Sequence, residues 1–190
     1  MPTEAEELLW KPDERMFKRL CILFGKSGLI NKYLKLARRY EAPYHPGGPR
    51  LKLKDLVKLI EKHGAKAKVF SRWQVIDMAE EEINGWRWFA KIVMKRHNVI
   101  ELQIAGYKGT KATGSTMNHI WGEASDLVPG IDPPSPPEIL YPQIAYDGDD
   151  ERLDRMIGDI VEYFNDVKDV IRRDLTDAQT PERSRKVIGR

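Results

Sequence analysis

Few residue types in this chain carry chemistry, and their spacing argues against a reaction centre. Cys21 is the single cysteine, and it sits among Leu20, Ile22, Leu23 and Phe24. A lone thiol in an apolar helical run reads as a small core residue. The histidines are His45, His63, His97 and His119, none three or four residues from another. With no Cys/His cluster and no H-E-x-x-H, the spacing offers no metal site, and no cofactor is expected. Gly25-Lys26-Ser27 has the ending of a phosphate-binding loop. Such a loop needs a second glycine five residues before the Gly-Lys pair, and that position is Leu20. Asp147, Asp149, Asp150 and Glu151 could gather a cation, but the twelve-residue calcium-loop pattern is missing. They suit the positive N-terminus of a helix instead.

Two features bear on binding. The run from Gly106 to Ser115 joins glycines, hydroxyls, Lys108 and Lys111, and could hold an anion. A solvated loop is its plainer reading. Trp73, Trp86, Trp88 and Trp121 occur with Arg72, Arg87, Lys91, Lys95 and Arg96. Interleaved aromatics and cations can stack bases, although aromatics on a hairpin mostly pack.

Charge is divided unevenly. Lys11 to Arg72 holds 17 Lys/Arg against 5 Asp/Glu, whereas Glu138 to Leu175 holds 5 against 11. Either the asymmetry marks a nucleic-acid or membrane surface, or the two ends pack together and partly neutralise each other. No apolar run approaches the ~20 residues that span a bilayer. The acidic start, with Glu4, Glu6 and Glu7, does not read as a secretion signal. The expected location is cytoplasmic, with no membrane partner.

Apolar periodicity predicts the elements that must position these groups. Pro12 opens a first helix with Met16, Phe17, Leu20, Cys21 and Phe24 on one face. A second helix covers about Leu29 to Glu41, and a third Leu53 to His63. Pro43 to Pro49 is a loop. The piece from Ala65 to Ile83 is ambiguous. Ala65 to Phe70 could be a strand, followed by a helix started by the Ser71/Gln74 capping pair. Alternatively one helix begins near Lys66. Trp86, Trp88, Ala90, Ile92 and Met94 then alternate with Arg87, Lys91 and Lys95, and Val99 to Gly106 completes a β-hairpin. Tyr107 to Ser115 reads as a loop and Met117 to Ala124 as a short helix. Pro129 to Pro142 is an extended crossover. Asp150 to Leu175 is the clearest helix, striped by Leu153, Met156, Ile157, Ile160, Phe164, Val167 and Ile171.

The expected fold is α/β of the α+β kind: helices on a small antiparallel sheet, with a long amphipathic C-terminal helix. Residues 1–175 form one domain, with a basic helical part over 12–83 and a hairpin and helix part over 86–175. Residues 176–190 form a tail. Three helices before a hairpin also suggest a winged helix-turn-helix. Lys66 to Ile83 would be its reading helix and the hairpin from Trp86 its wing. Nucleic acid would then meet Lys66, Lys68, Arg72, Arg87 and Lys91.

From Trp86 to Ile171 the layout resembles that of bacterial toxin-immunity proteins, the antidotes of polymorphic and contact-dependent toxins. The features are the hairpin, Gly114-Ser115 opening a short helix, Pro133-Pro134-Ser135-Pro136-Pro137, Tyr141-Pro142, and a closing helix with Tyr163-Phe164 and Val167-Lys168. The resemblance implies a non-enzymatic protein that binds a cognate toxin domain. Asp159, Glu162, Asp166 and Asp169, opposite the apolar stripe, would form its face toward a basic toxin. The basic N-terminal part would suit an acidic one.

Overall fold

A computed structural model describes residues 11–42, 48–134 and 143–175. The tail from 176, part of the Pro43–Pro49 loop, most of the proline-rich crossover and the first ten residues lie outside the described residues.

The chain opens with a two-residue strand, β1 (Lys11–Pro12), and three helices: α1 (Glu14–Lys26), α2 (Leu29–Arg39) and α3 (Leu53–Lys62). Strand β2 (Ala67–Phe70), a 3₁₀ turn over Ser71–Trp73, β3 (Val75–Ile83), β4 (Trp86–Lys95), β5 (Val99–Lys108) and β6 (Lys111–Thr116) follow. Helix α4 (Met117–Leu127), β7 (Ile144–Ala145) and α5 (Asp150–Asp174) close the fold. Strands β2 to β6 form an antiparallel meander. β1 joins it in parallel beside β6, and β7 pairs with the start of β5. The α+β class is as expected from the sequence.

Alternation in β4 and β5 divides the sheet into two faces. Trp86, Trp88, Ala90, Ile92 and Met94, with Ile100, Leu102 and Ile104, point to one face and are buried in a core shared with all five helices. Phe89, Lys91 and Val93 fall on the opposite face. Across the core face the helices lie in the order α3, α5, α2, α1, α4. The whole apolar stripe predicted for α5 is buried. Asp149 caps that helix by accepting the N–H groups of Glu151 and Arg152, and Arg152 holds Asp147 at 2.6 Å. The acidic cluster is thus a helix start, as its plainer reading had it.

Three local expectations need correction. The strand alternative for Ala65 to Phe70 holds, as β2, but no α-helix follows it: 71–83 is a 3₁₀ turn and β3. β3 carries a bulge between Met78 and Glu81. Core-facing residues therefore fall at 76, 78, 81 and 83, and the step of three mimics a helical repeat. The 107–115 segment is not a loop but the end of β5, a tight turn and β6. Its pairing depends on Gly114 at φ +105°, where a Cβ would lie 2.0 Å from the Ile104 carbonyl oxygen. Only glycine fits there. Finally, Pro12 is in β1, and Asp13 caps α1 by accepting the Met16 N–H.

Candidate binding surface at the sheet margin

Strand β2 ends the sheet, so one of its edges has no strand beside it among the described residues. Lys68 and Phe70 project to the helix-free face, and Val69 to the other, where it stays exposed. Phe70 leads into the 3₁₀ turn, and Gln74 closes it in a left-handed conformation, φ +53°, its amide donating to the Ser71 carbonyl. This turn lifts Trp73 clear of the sheet. Its side chain is 56% exposed, with the Arg72 guanidinium 5.1 Å from the ring centroid. The other tryptophans among the described residues are structural. Trp86 and Trp88 lie in the core, and Trp121 is buried with its indole N–H donated to the Asp132 carbonyl. Sequence alone could not single out Trp73, because it is only the turn that separates it from the rest.

The cations proposed for nucleic acid spread out along this margin. Lys66 is exposed just before β2. Lys68 (β2), Asp77 (β3), Lys91 (β4) and Gln103 (β5) form one cross-strand row on the helix-free face. Arg87 pairs with Glu80 at 3.5 Å. The Lys91 ammonium lies 3.6 Å from the Asp77 carboxylate and near the rings of Phe89 and Tyr107. Asp77 is 7% exposed, and neither of its oxygens accepts a hydrogen bond. Burial pushes its carboxyl above the usual range, against the pull of Lys91. With 66–83 in strands, the reading helix of a winged helix does not exist.

The acidic face of α5 is largely engaged within the chain. Asp159 accepts from Arg39 at 2.8 Å and from the Tyr40 hydroxyl at 2.7 Å. Asp166 holds Lys32 at 2.7 Å, and Asp154 holds Lys62 at 2.7 Å and His63 at 3.0 Å. Asp169 pairs with Arg172 on its own helix, and Glu162 is exposed. Helix α5 thus sits between basic α2 and basic α3. Three cations of the basic segment, Lys32, Arg39 and Lys62, thereby reach carboxylates of α5.

One constellation escaped the sequence reading. Ser115 Oγ lies 2.8 Å from His119 Nδ1, and His119 Nε2 lies 3.7 Å from Glu123. The spacing of four residues was the available signal. The second distance is too long for a hydrogen bond, so nothing fixes the imidazole as a triad requires. Strand alternation also turns Ser115 toward the helix layer, and the ring of Phe17 packs on His119, 5.2 Å between centroids. Among the described residues no group of acids, cysteines and histidines is placed to hold a metal ion, and no helix is long and apolar enough to cross a membrane.

Set against protein-family models, curated proteins and solved structures, the chain matches none.

Proposed function

We propose that this chain is a non-enzymatic cytoplasmic binding protein that engages a protein partner through the sheet margin around Trp73. In this reading it acts as an immunity protein that neutralises a toxin domain. The observation that carries it is the exposed Trp73, backed by Arg72 and flanked by Val69 on an edge strand. Tryptophan and arginine dominate the energetic centres of protein interfaces. A tryptophan side chain has only two rotatable bonds and loses little conformational freedom on binding. The internally paired carboxylates of α5 make that helix the weaker candidate for the docking face. The class of partner rests on the layout shared with immunity proteins, and the lone buried cysteine suits a reducing compartment.

The test is affinity capture from source cells, with nuclease treatment and stepwise salt, using the native chain and Trp73→Ala. A single stoichiometric protein that survives nuclease, resists salt and is lost with Trp73→Ala is expected. Co-expression with the chain should then relieve that protein's toxicity. Nucleic acid released by salt, with no such protein, would transfer the reading to the cations of the same margin. A captured protein indifferent to Trp73→Ala would remove the margin from the interface.

A further inference from the structure

β3 is longer than the strand beside it. β2 begins at Ala67, opposite Met78, and β3 continues from Ala79 to Ile83 with no strand on that edge among the described residues. Five residues of strand span about 17 Å. A cavity of about 450 Å³ opens at the start of this free edge, where Glu80 lines it. One wall is the α3–β2 connection, Ala65 and Lys66; another is α5, through Val161, Asn165 and Lys168; Asp77, which Lys91 pairs, lines the sheet side with Glu80 and Phe89. The cavity occupies the place that β2 would fill if it extended further toward its own start.

The geometry points to a slot for an extended, acidic peptide segment of a protein partner, added to the sheet beside β3. This assignment rests on the protein-binding reading above and names its mode. An unpaired strand edge is satisfied by another strand, whose backbone supplies the affinity while alternate side chains supply selectivity. The charges select the occupant. Glu80 is held by Arg87, and Glu81 by Arg172 and Lys168. Lys66 has no ion-pair partner among the described residues, and Lys68 touches only the Phe70 ring and the field of Asp77. The Asn165 amide also has no described partner. Glu82, exposed on the same strand, is the one carboxylate of 79–83 without an ion-pair partner among the described residues, and Lys66 and Lys68 outnumber it. Val161, Ala65 and Ala67 give an apolar floor for the alternate positions. The bulge after Met78 and the flanking lysines are devices that guard an edge against indiscriminate pairing, which leaves a charge-matched strand as the fitting partner.

The experiment is selection of displayed random peptides, about nine residues long, on the full chain, followed by amide-exchange mapping of the winners. Enriched sequences should alternate apolar residues with Asp or Glu, and binding should slow exchange at amides within 79–83. Lys66→Glu, at an exposed loop position, should weaken binding at least tenfold, and Lys66→Arg should retain it. No enrichment over an unrelated control protein, or protection that maps outside 79–83, overturns the slot. The failures are separable. A partner lost with Trp73→Ala but without protection at 79–83 leaves the protein-binding reading standing and removes the slot. Selected peptides that protect 79–83, in a chain that captures only nucleic acid from cells, do the reverse.

Discussion

Asp77 and Lys91 form an ion pair whose energetics can be worked out from the structure. Asp77 is buried without a hydrogen bond to either oxygen, and the Lys91 side chain is 14% exposed. At 3.6 Å the two attract, but both have lost most of their water. Replacing Lys91 with methionine keeps the stem packed on Phe89 and Tyr107 and leaves a buried carboxylate with only its cross-strand neighbour Lys68 as a nearby cation. Removing one partner of such a pair costs about 3–5 kcal/mol, a large share of the ~5–15 kcal/mol that holds a domain together. Replacing both, Asp77→Leu with Lys91→Met, should return stability to the native level or exceed it by about 1–4 kcal/mol. The assay is equilibrium urea unfolding of the two single variants and the double at pH 7, with unchanged m-values as the condition for comparison. The pH dependence adds a second reading. The folded carboxyl titrates above its unfolded value, so the folded state binds more protons through that window. Stability from this group is therefore greatest at acid pH and falls as pH rises through the folded pKa. The Lys91→Met penalty should shrink on acidification, as Asp77 takes up a proton. Single-variant losses that simply add in the double, with a penalty independent of pH, would refute the coupled-pair account.

Three other outcomes are expected. Gly114→Ala should cost about 3 kcal/mol or more, because strain at positive φ adds to a clash with backbone; Gly109→Ala, at φ +57° in open space, should cost only about 1–2 kcal/mol by the same urea assay. Hydrogen bonds from Lys62 and then His63 hold the Asp154 carboxyl below the usual range. The stability it contributes is present above the unfolded carboxylate pKa and is lost as pH falls through the folded one. Asp154→Asn should accordingly flatten the acid limb of a stability–pH profile below about pH 4, and an unchanged limb would refute the assignment. Burial first, and Glu123 second, push the Cys21 thiol up to about 12. Iodoacetamide at pH 8 should then label it only as fast as the chain unfolds, and rapid labelling of the native protein would contradict its place in the core.

The parts of the fold that were legible in the sequence are those where one period runs unbroken. The α5 stripe from Leu153 to Ile171 and the Trp86-to-Met94 alternation each face one core and were readable directly. The stretch 65–83 was not, because the bulge after Met78 inserts a step of three into a strand, and Ser71 with Gln74 imitates a helix start. β6 was hidden for another reason. Lys111 to Thr116 has almost no apolar residue, and its conformation comes from β5 on one side and β1 on the other. The binding surface was legible only in composition. The sequence put the acids of α5 on its outer face, but only the packing order α3, α5, α2 reveals that Arg39, Lys32 and Lys62 reach them. Lys66, Lys68 and Arg72 stand out in the sequence as cations, whereas the exposure of Trp73 and the free edge of β3 exist only in three dimensions.

The central place of α5 in the helix layer has a consequence for synthesis. Its partners in α2 emerge from the ribosome more than a hundred residues before it, as the pairings of Lys32 with Asp166 and Arg39 with Asp159 measure. Until α5 has been made, the faces of α2 and α3 that it covers in the folded chain lack that apolar partner. The layer must wait for its middle member, so closure is late and depends on contacts distant in sequence, which slow folding. A stop codon before residue 150 would yield not a shortened binder but a chain with its core laid open, a substrate for chaperones and proteases.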